Sequence, residues 1–212
     1  MNPSRIYGKL LKHFGKQHWW PADSAFEVMI GAILTQQTTW LSVEKAIENL
    51  KKHGLLSPAS LAGAKTGHIE RLIRPTGFYK QKAGRIKAFS QYLRSRYNGS
   101  IYRLFTKRQT HKLREELLAL DGIGNETADS ILLYAGERLI FPIDAYTRRV
   151  SGRLGHKEDD YERLRAFFER NLPRSLAVYK EFHALLVRLA KEHCRIKPLC
   201  SGCPLGEECK RG

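Results

Sequence analysis

The sequence predicts an all-α fold, and three observations predict it. Apolar residues recur at helical spacing in one stretch after another along the 212 residues. Short turns carrying Gly or Pro join those stretches. Strand alternation is almost absent: LIFPI, before Asp144, is the one candidate, and it is too short for a sheet. Helices with short connections and no sheet to pack on give the all-α class.

Each element follows from its own pattern. SRIYGKLLKHFG is amphipathic, with Ile6, Leu10, Leu11 and Phe14 near one face. AFEVMIGAILTQQTTWLSVEKAIENLKKHG holds two helices broken at the polar run QQTT. HIERLIRPTGFYKQKAGRIKAFSQYLRSRYNG splits at Pro75-Thr76-Gly77, a turn between two helices. TKRQTHKLREELLALDGIGNETADSILLYAGE is again helix, turn, helix. DAYTRRVSGRLG begins another helix, and DDYERLRAFFERNLP and SLAVYKEFHALLVRLAKEHC are two more. The last stretch, CRIKPLCSGCPLGEECKRG, is a loop-rich tail. No internal repeat or low-complexity segment interrupts the series.

Charge is the unusual total. There are 37 Lys+Arg against 21 Asp+Glu, a formal net of 37 − 21 = +16. A chain this basic meets a polyanion, nucleic acid before an anionic membrane surface; a merely soluble basic surface is the bland alternative. No apolar run approaches the ~20 residues that span a bilayer, so no membrane is expected. MNPSRIYGKLLKHFGKQHWW lacks the apolar core of a secretory signal. The expectation is a cytoplasmic protein, nucleoid-associated in a prokaryote. In a reducing compartment, four cysteines go to metal rather than to disulfides.

Those cysteines all lie in the final stretch, at Cys194, Cys200, Cys203 and Cys209, spaced C-x5-C-x2-C-x5-C. Gly202, Pro198 and Pro204 supply turns that let four thiolates converge. Structural zinc usually takes two C-x2-C knuckles, or one knuckle with histidines. One knuckle with symmetric longer arms suits a [4Fe–4S] cluster at least as well, and zinc stays as the alternative. Arg195 and Lys197 make the first loop a basic knob of the kind that touches phosphate.

In ALDGIGNETADSILLYA, Gly122 and Gly124 permit backbone angles that other residues avoid. The next helix starts near Asn125, so its N–H groups point outward from the turn as an anion site suited to phosphate. A plain helix–helix turn is the alternative. Further along, LIFPIDAYTRRV sets one carboxylate, Asp144, at a helix start, followed by Arg148 and Arg149. Taken alone, such an Asp is an N-cap.

Together LDGIGNETADSILLYA, FPIDAYTRRV and the cysteine tail resemble the helix-hairpin-helix DNA glycosylase superfamily, which contains endonuclease III. The resemblance starts near WWPADSAFEVMIGAILTQQTT, passes through RPTGFYKQKAGRI and covers nearly the whole chain. It implies two all-α domains: a helical bundle over 21–136 that ends in the hairpin, and 1–20 with 137–212, which carries the cluster. DNA is then expected across the cleft between them.

The resemblance also implies a chemistry. The family hydrolyses the N-glycosidic bond of a damaged base taken out of the stack. Asp144 matches the family's aspartate, which stabilises the cationic sugar and orients or deprotonates the attacking water. Glu126 stands where endonuclease III carries a lysine whose amine forms a Schiff base and cuts the strand. A carboxylate forms no imine, so a monofunctional enzyme is implied, in which Glu126 polarises water, positions the sugar or only favours the helix N-terminus. Ala32 stands where adenine glycosylases acting opposite oxidised guanine carry a catalytic glutamate, which argues against that reaction.

Trp19, Trp20 and Trp40 are the three tryptophans. Aromatic faces stack on a base and attract a cationic one more, as N3- and N7-alkylated purines are. The WWP element, QQTTW and RPTGFYKQKA look most like 3-methyladenine DNA glycosylase III, a branch of the superfamily without the cysteine cluster. Core packing is the alternative for Trp19 and Trp20, since adjacent helical residues do not share one pocket. Gln37 matches the residue that fills the gap left by the flipped base, and Phe78 the wedge opposite it. Lys80, Lys82, Arg148 and Arg149 are candidate phosphate contacts. The reading is a monomeric DNA glycosylase for alkylated purines such as 3-methyladenine, acting on double-stranded DNA with a damaged base. An endonuclease III-like glycosylase/lyase for oxidised pyrimidines, a glycosylase for mismatched or deaminated bases, and a non-catalytic DNA-binding module are the alternatives.

Overall fold

The computed structural model describes residues 1–106 and 108–210. Among them it forms twelve α-helices, one 3-10 turn and one π turn, with no strand. The chain divides into two compact units, Ala22–Gly136 and the pair Met1–Pro21 with Glu137–Gly212.

The first unit is built around α2 (Ala25–Leu34), whose residues Phe26–Leu34 are all buried. A helix apolar on every side belongs in a core. Ser24 caps it by accepting from Glu27 N at 3.2 Å, and Glu27 reaches back to Asp23 N at 3.0 Å. Against it pack α3 (Trp40–Lys52), α6 (Tyr79–Tyr97) and the π turn Ile131–Ala135. Around these run α4 (Pro58–Gly63), α5 (Thr66–Ile73), the 3-10 turn Arg74–Thr76 and α7 (Ile101–Phe105), then α8 (Thr110–Leu118) and α9 (Asn125–Ser130). The π turn closes with Gly136 N on Ile131 O at 3.0 Å, a five-residue step that carries the apolar ILLYA into the core.

The second unit packs α1 (Pro3–Phe14), α10 (Ala145–Arg153), α11 (Tyr161–Asn171) and α12 (Leu176–Glu192). Its core is aromatic: Phe141 stacks on Phe168 at 4.7 Å and meets Tyr179 edge-on at 5.6 Å. LIFPI is not a strand. Two of its donors go to side chains instead of a ladder, Phe141 N to Glu169 Oε1 at 3.0 Å and Ile143 N to Tyr161 Oη at 3.2 Å, and Ile140 N goes to Arg138 O at 2.9 Å. That segment sets Asp144 at the head of α10.

Candidate functional site

Asp144 is the N-cap of α10, and its Oδ1 accepts from Thr147 N at 2.6 Å. An N-cap ordinarily faces water; this one is 7 % exposed. Its Oδ2 lies 3.5 Å from Nε2 of His183, itself buried on α12. Burial pushes the carboxyl pKa up. The nearby His183, with Thr147, outweighs burial and holds the acid below the usual carboxylate range. The result is a fixed negative charge in a dry place, able to stabilise a developing cation or to orient water.

Trp19 and Trp20 follow α1 in a non-helical loop. Both are half-buried, and their rings lie 5.2 Å apart at 43°. The objection that adjacent helical residues cannot share a pocket therefore falls. The loop is moored to α12: Gln17 N donates to Glu181 Oε1 at 2.5 Å, and Arg188 Nη1 to Phe14 O and Gln17 Oε1, both at 3.2 Å.

In the unit Ala22–Gly136, the QQTT turn leaves α2. Gln37 is exposed and left-handed, φ 52°. Trp40 is half-buried on the first turn of α3 and donates Nε1–H to Glu44 Oε1 at 2.6 Å. Gln36 turns inward, its amide donating to Gly122 O at 2.7 Å and Thr127 Oγ1 at 3.1 Å. Arg85 Nη1 donates to Gln36 Oε1 at 2.9 Å. Gly122 has φ +75°, and a Cβ there would stand 2.0 Å from Arg85 Nε. Gly124 needs no special conformation: its backbone is extended, φ −89° and ψ −179°, and the space a Cβ would take is open. Only Gly122 fits the expected use of glycine. Glu126 is exposed on the first turn of α9, which Arg114 holds through Asp129 (2.6 Å) and Asn125 (3.2 Å).

Phe78 is 61 % exposed, left-handed with φ 45°, at the head of α6. Lys80 is exposed beside it. Lys82 is not a phosphate contact. It is 1 % exposed and donates Nζ–H to Leu34 O at 2.9 Å and Thr76 O at 2.8 Å. Burial, then the Arg85 charge, pushes its amine down to about 8. The sequence expectation failed because both partners are backbone carbonyls, which no residue pattern advertises. Arg148 and Arg149 are half-buried and partly engaged within their unit. Arg148 donates to Asp159 O, and Arg149 Nε to Cys194 O at 2.7 Å.

The cysteine tail hangs on α10 and α1. Arg153 donates to Arg195 O (2.6 Å), Ile196 O (2.9 Å) and Cys194 Sγ (3.1 Å), while Glu208 pairs with Arg5 and Lys9. Leu205 is the tail's buried apolar anchor. Burial pushes the Cys203 thiol up, and Cys194, Cys200 and Cys209 add to that. Among the described residues no three Cys, His, Asp or Glu side chains form a group that holds a metal ion.

A profile of HhH-GPD superfamily base excision DNA repair protein matches residues 30–174, the span that runs from α2 through QQTT and the hairpin to Asp144 and α11. This chain belongs to that superfamily. A protein of Methanocaldococcus jannaschii, described as a putative DNA repair glycosylase, is 45% identical over 207 residues, 97% of this chain and 94% of its own. Endonuclease III of Thermotoga maritima is 29% identical over 204 residues, 95% and 89% of the two chains. The H. pylori 3-methyladenine DNA glycosylase bound to 1,N6-ethenoadenine superposes with a TM-score of 0.80 at 28% identity, covering 91% of this chain and 98% of that one. The chain is a DNA glycosylase of the base excision repair class.

Within an HhH-GPD glycosylase, sequence reasoning missed four side chains. His183 is a lone histidine on the buried stripe of α12; its one signal is polarity at a core position. Gln36 stands beside Gln37 in a polar run, and Arg85 and Arg153 are two among 37 basic residues, so nothing local singles them out. Each acts on a partner distant in sequence, which periodicity cannot reveal.

Proposed function

We propose that this protein is a monofunctional DNA glycosylase that releases alkylated purines such as 3-methyladenine from double-stranded DNA. The observation that carries the reading is Asp144, a buried carboxylate held below the usual range at a helix head. Bond cleavage leaves an oxocarbenium-like sugar, and a dry fixed anion stabilises it while orienting water. An alkylated purine is already cationic and needs little protonation to leave, so one carboxylate suffices. The tryptophan pair supports a cationic, stackable base. The likeness to the H. pylori enzyme supports the same substrate class. Glu126 at the hairpin supports the absence of lyase chemistry, because it offers no amine. Gln37 and Phe78, both exposed and left-handed, suit insertion into the duplex beside the flipped base. We take the protein as a cytoplasmic monomer.

The tail supports a [4Fe–4S] cluster on Cys194, Cys200, Cys203 and Cys209, with zinc as the alternative. The donor chemistry is that of a cluster, four thiols in one tail, although among the described residues they are not gathered into a metal-holding group. When bound, the cluster would staple a segment too small for its own core.

The likeness to endonuclease III favours a second reading, a glycosylase/lyase for oxidised pyrimidines. One assay separates the two. Duplexes carrying a 3-methyladenine analogue, hypoxanthine, thymine glycol or a preformed abasic site are incubated with wild type, Asp144→Asn and Glu126→Lys, with and without alkali. The proposal expects strand breaks at the alkylated base only after alkali, none with Asp144→Asn, and borohydride trapping only with Glu126→Lys. Direct nicking of the abasic duplex by wild type overturns the monofunctional reading. Release of thymine glycol alone overturns the substrate class.

A further inference from the structure

Lys82 is the largest unexplained commitment in the unit Ala22–Gly136. Its ammonium is fully buried and bridges two carbonyls from segments 42 positions apart, Leu34 and Thr76. Leu34 ends α2, and its carbonyl is among those a helix leaves without a partner. Thr76 ends the 3-10 turn. Gln37 lies three residues beyond the first carbonyl and Phe78 two beyond the second. Both are left-handed, a conformation that strains a non-glycine residue and persists only where the surroundings impose it. Both are exposed, so their own burial does not impose it. The backbone N–H of Lys82 also takes Phe78 O at 3.0 Å. One turn further along α6, Arg85 grips Gln36, which in turn grips Gly122 and Thr127.

We propose that Lys82 is a positioning residue whose buried ammonium sets the spacing of the two turns that present Gln37 and Phe78 to the duplex. This rests on the reading of those two residues as the inserting pair. An ammonium suits this role because it has donors for two carbonyls at once, and because a cation complements the negative end of α2. An apolar side chain of similar length would fill the space and leave both carbonyls without a donor. The turns would then lose their common tether while the core stayed filled.

The test is a cycle of Lys82→Met against Gln37→Ala/Phe78→Ala, read with a duplex in which 2-aminopurine stacks beside a synthetic abasic site. The fluorescence rise reports insertion without any catalysis, so it does not depend on which base is excised. Lys82→Met should abolish the rise, and in the wild-type background should lower excision from an alkylated duplex by about 10–100-fold, the scale of an unstacking cost of a few kcal/mol. In the Gln37→Ala/Phe78→Ala background the same substitution should change excision by less than about threefold, since the tethered pair is already gone. An equal loss in both backgrounds makes Lys82 a core residue only and overturns the proposal. So does a wild type that gives no fluorescence rise. A wild type that inserts but fails to release alkylated purines leaves the positioning role standing and overturns the substrate class alone. Should Lys82→Met not fold, Lys82→Gln, whose amide still meets one carbonyl, enters the same cycle.

Discussion

Gly122→Ala and Gly124→Ala form a matched pair two residues apart, and the structure predicts opposite outcomes for them. At Gly122 the backbone is left-handed, φ +75°, which costs an alanine about 1–2 kcal/mol. Its Cβ would also lie 2.0 Å from Arg85 Nε and 2.3 Å from Cδ, too close to coexist. Arg85 must leave and forfeit its charged hydrogen bond to Gln36, worth about 1.5–3 kcal/mol net. The total is about 2.5–5 kcal/mol. For a chain of this size each kcal/mol moves Tm by about 2–4 °C, so the midpoint should fall by about 5–20 °C. At Gly124 the backbone is extended and nothing lies within 4 Å of the new methyl. Stability should hold within about 0.5 kcal/mol. If the hairpin receives a phosphate, that open space is where it arrives, and Gly124→Ala should weaken duplex binding instead. Thermal unfolding by circular dichroism and fluorescence anisotropy with a labelled duplex, at one fixed salt concentration, read the two effects separately. An unchanged Tm for Gly122→Ala, or equal losses of Tm in both variants, would refute the division of labour.

Two further outcomes follow from other parts of the molecule. The folded pKa of Asp144 is depressed, so its contribution to stability is present above the unfolded carboxylate value and is lost as pH falls through the lower folded one. His183→Phe leaves burial opposed by Thr147 alone, so the acid limbs of both single-turnover base release and Tm should move to higher pH; a superimposable profile would sink the role given to His183. Cys203→Ser should lose iron, acid-labile sulfide and the visible absorbance of a cubane cluster while far-ultraviolet helicity persists, and stoichiometric zinc in the wild type would assign the tail to the other metal.

Much of this was legible in the sequence because helix ends are written in local chemistry. Ser24, Thr39, Asp144, Asp160 and Ser175 each cap the helix they precede, and Pro75-Thr76-Gly77 breaks the chain where the pattern says. The short helices α4 and α7 were not legible, since five or six residues show too little periodicity. Nor was the fate of LIFPI, two of whose donors are met by Glu169 and Tyr161 from another helix. Lys82 shows the limit most clearly. Its spacing in GFYKQKA is that of a solvated charge, and only the return of α2 beside α6 turns it inward. Asp144 was found by its place before a helix, but its charged, buried state depends on His183, 39 residues away.

That state is also the strongest argument that Asp144 is there for chemistry. As an N-cap, Asn serves as well as Asp, so the cap explains nothing about the choice of an acid. Burying a carboxylate costs several kcal/mol, and the fold meets that cost by bringing a histidine to 3.5 Å. A stability-only design would not build such a pair. Asp144→Asn separates the two roles. The amide keeps the bond from Thr147 N, so the loss of stability should be about 1 kcal/mol, a few degrees of Tm. Loss of transition-state charge stabilisation should slow base release by about 10²–10³-fold, roughly 3–4 kcal/mol. The two figures differ enough to be told apart by assaying well below the midpoint of both proteins. If activity returns there, Asp144 is a structural cap; if the deficit persists in a fully folded variant, the carboxylate acts on the sugar.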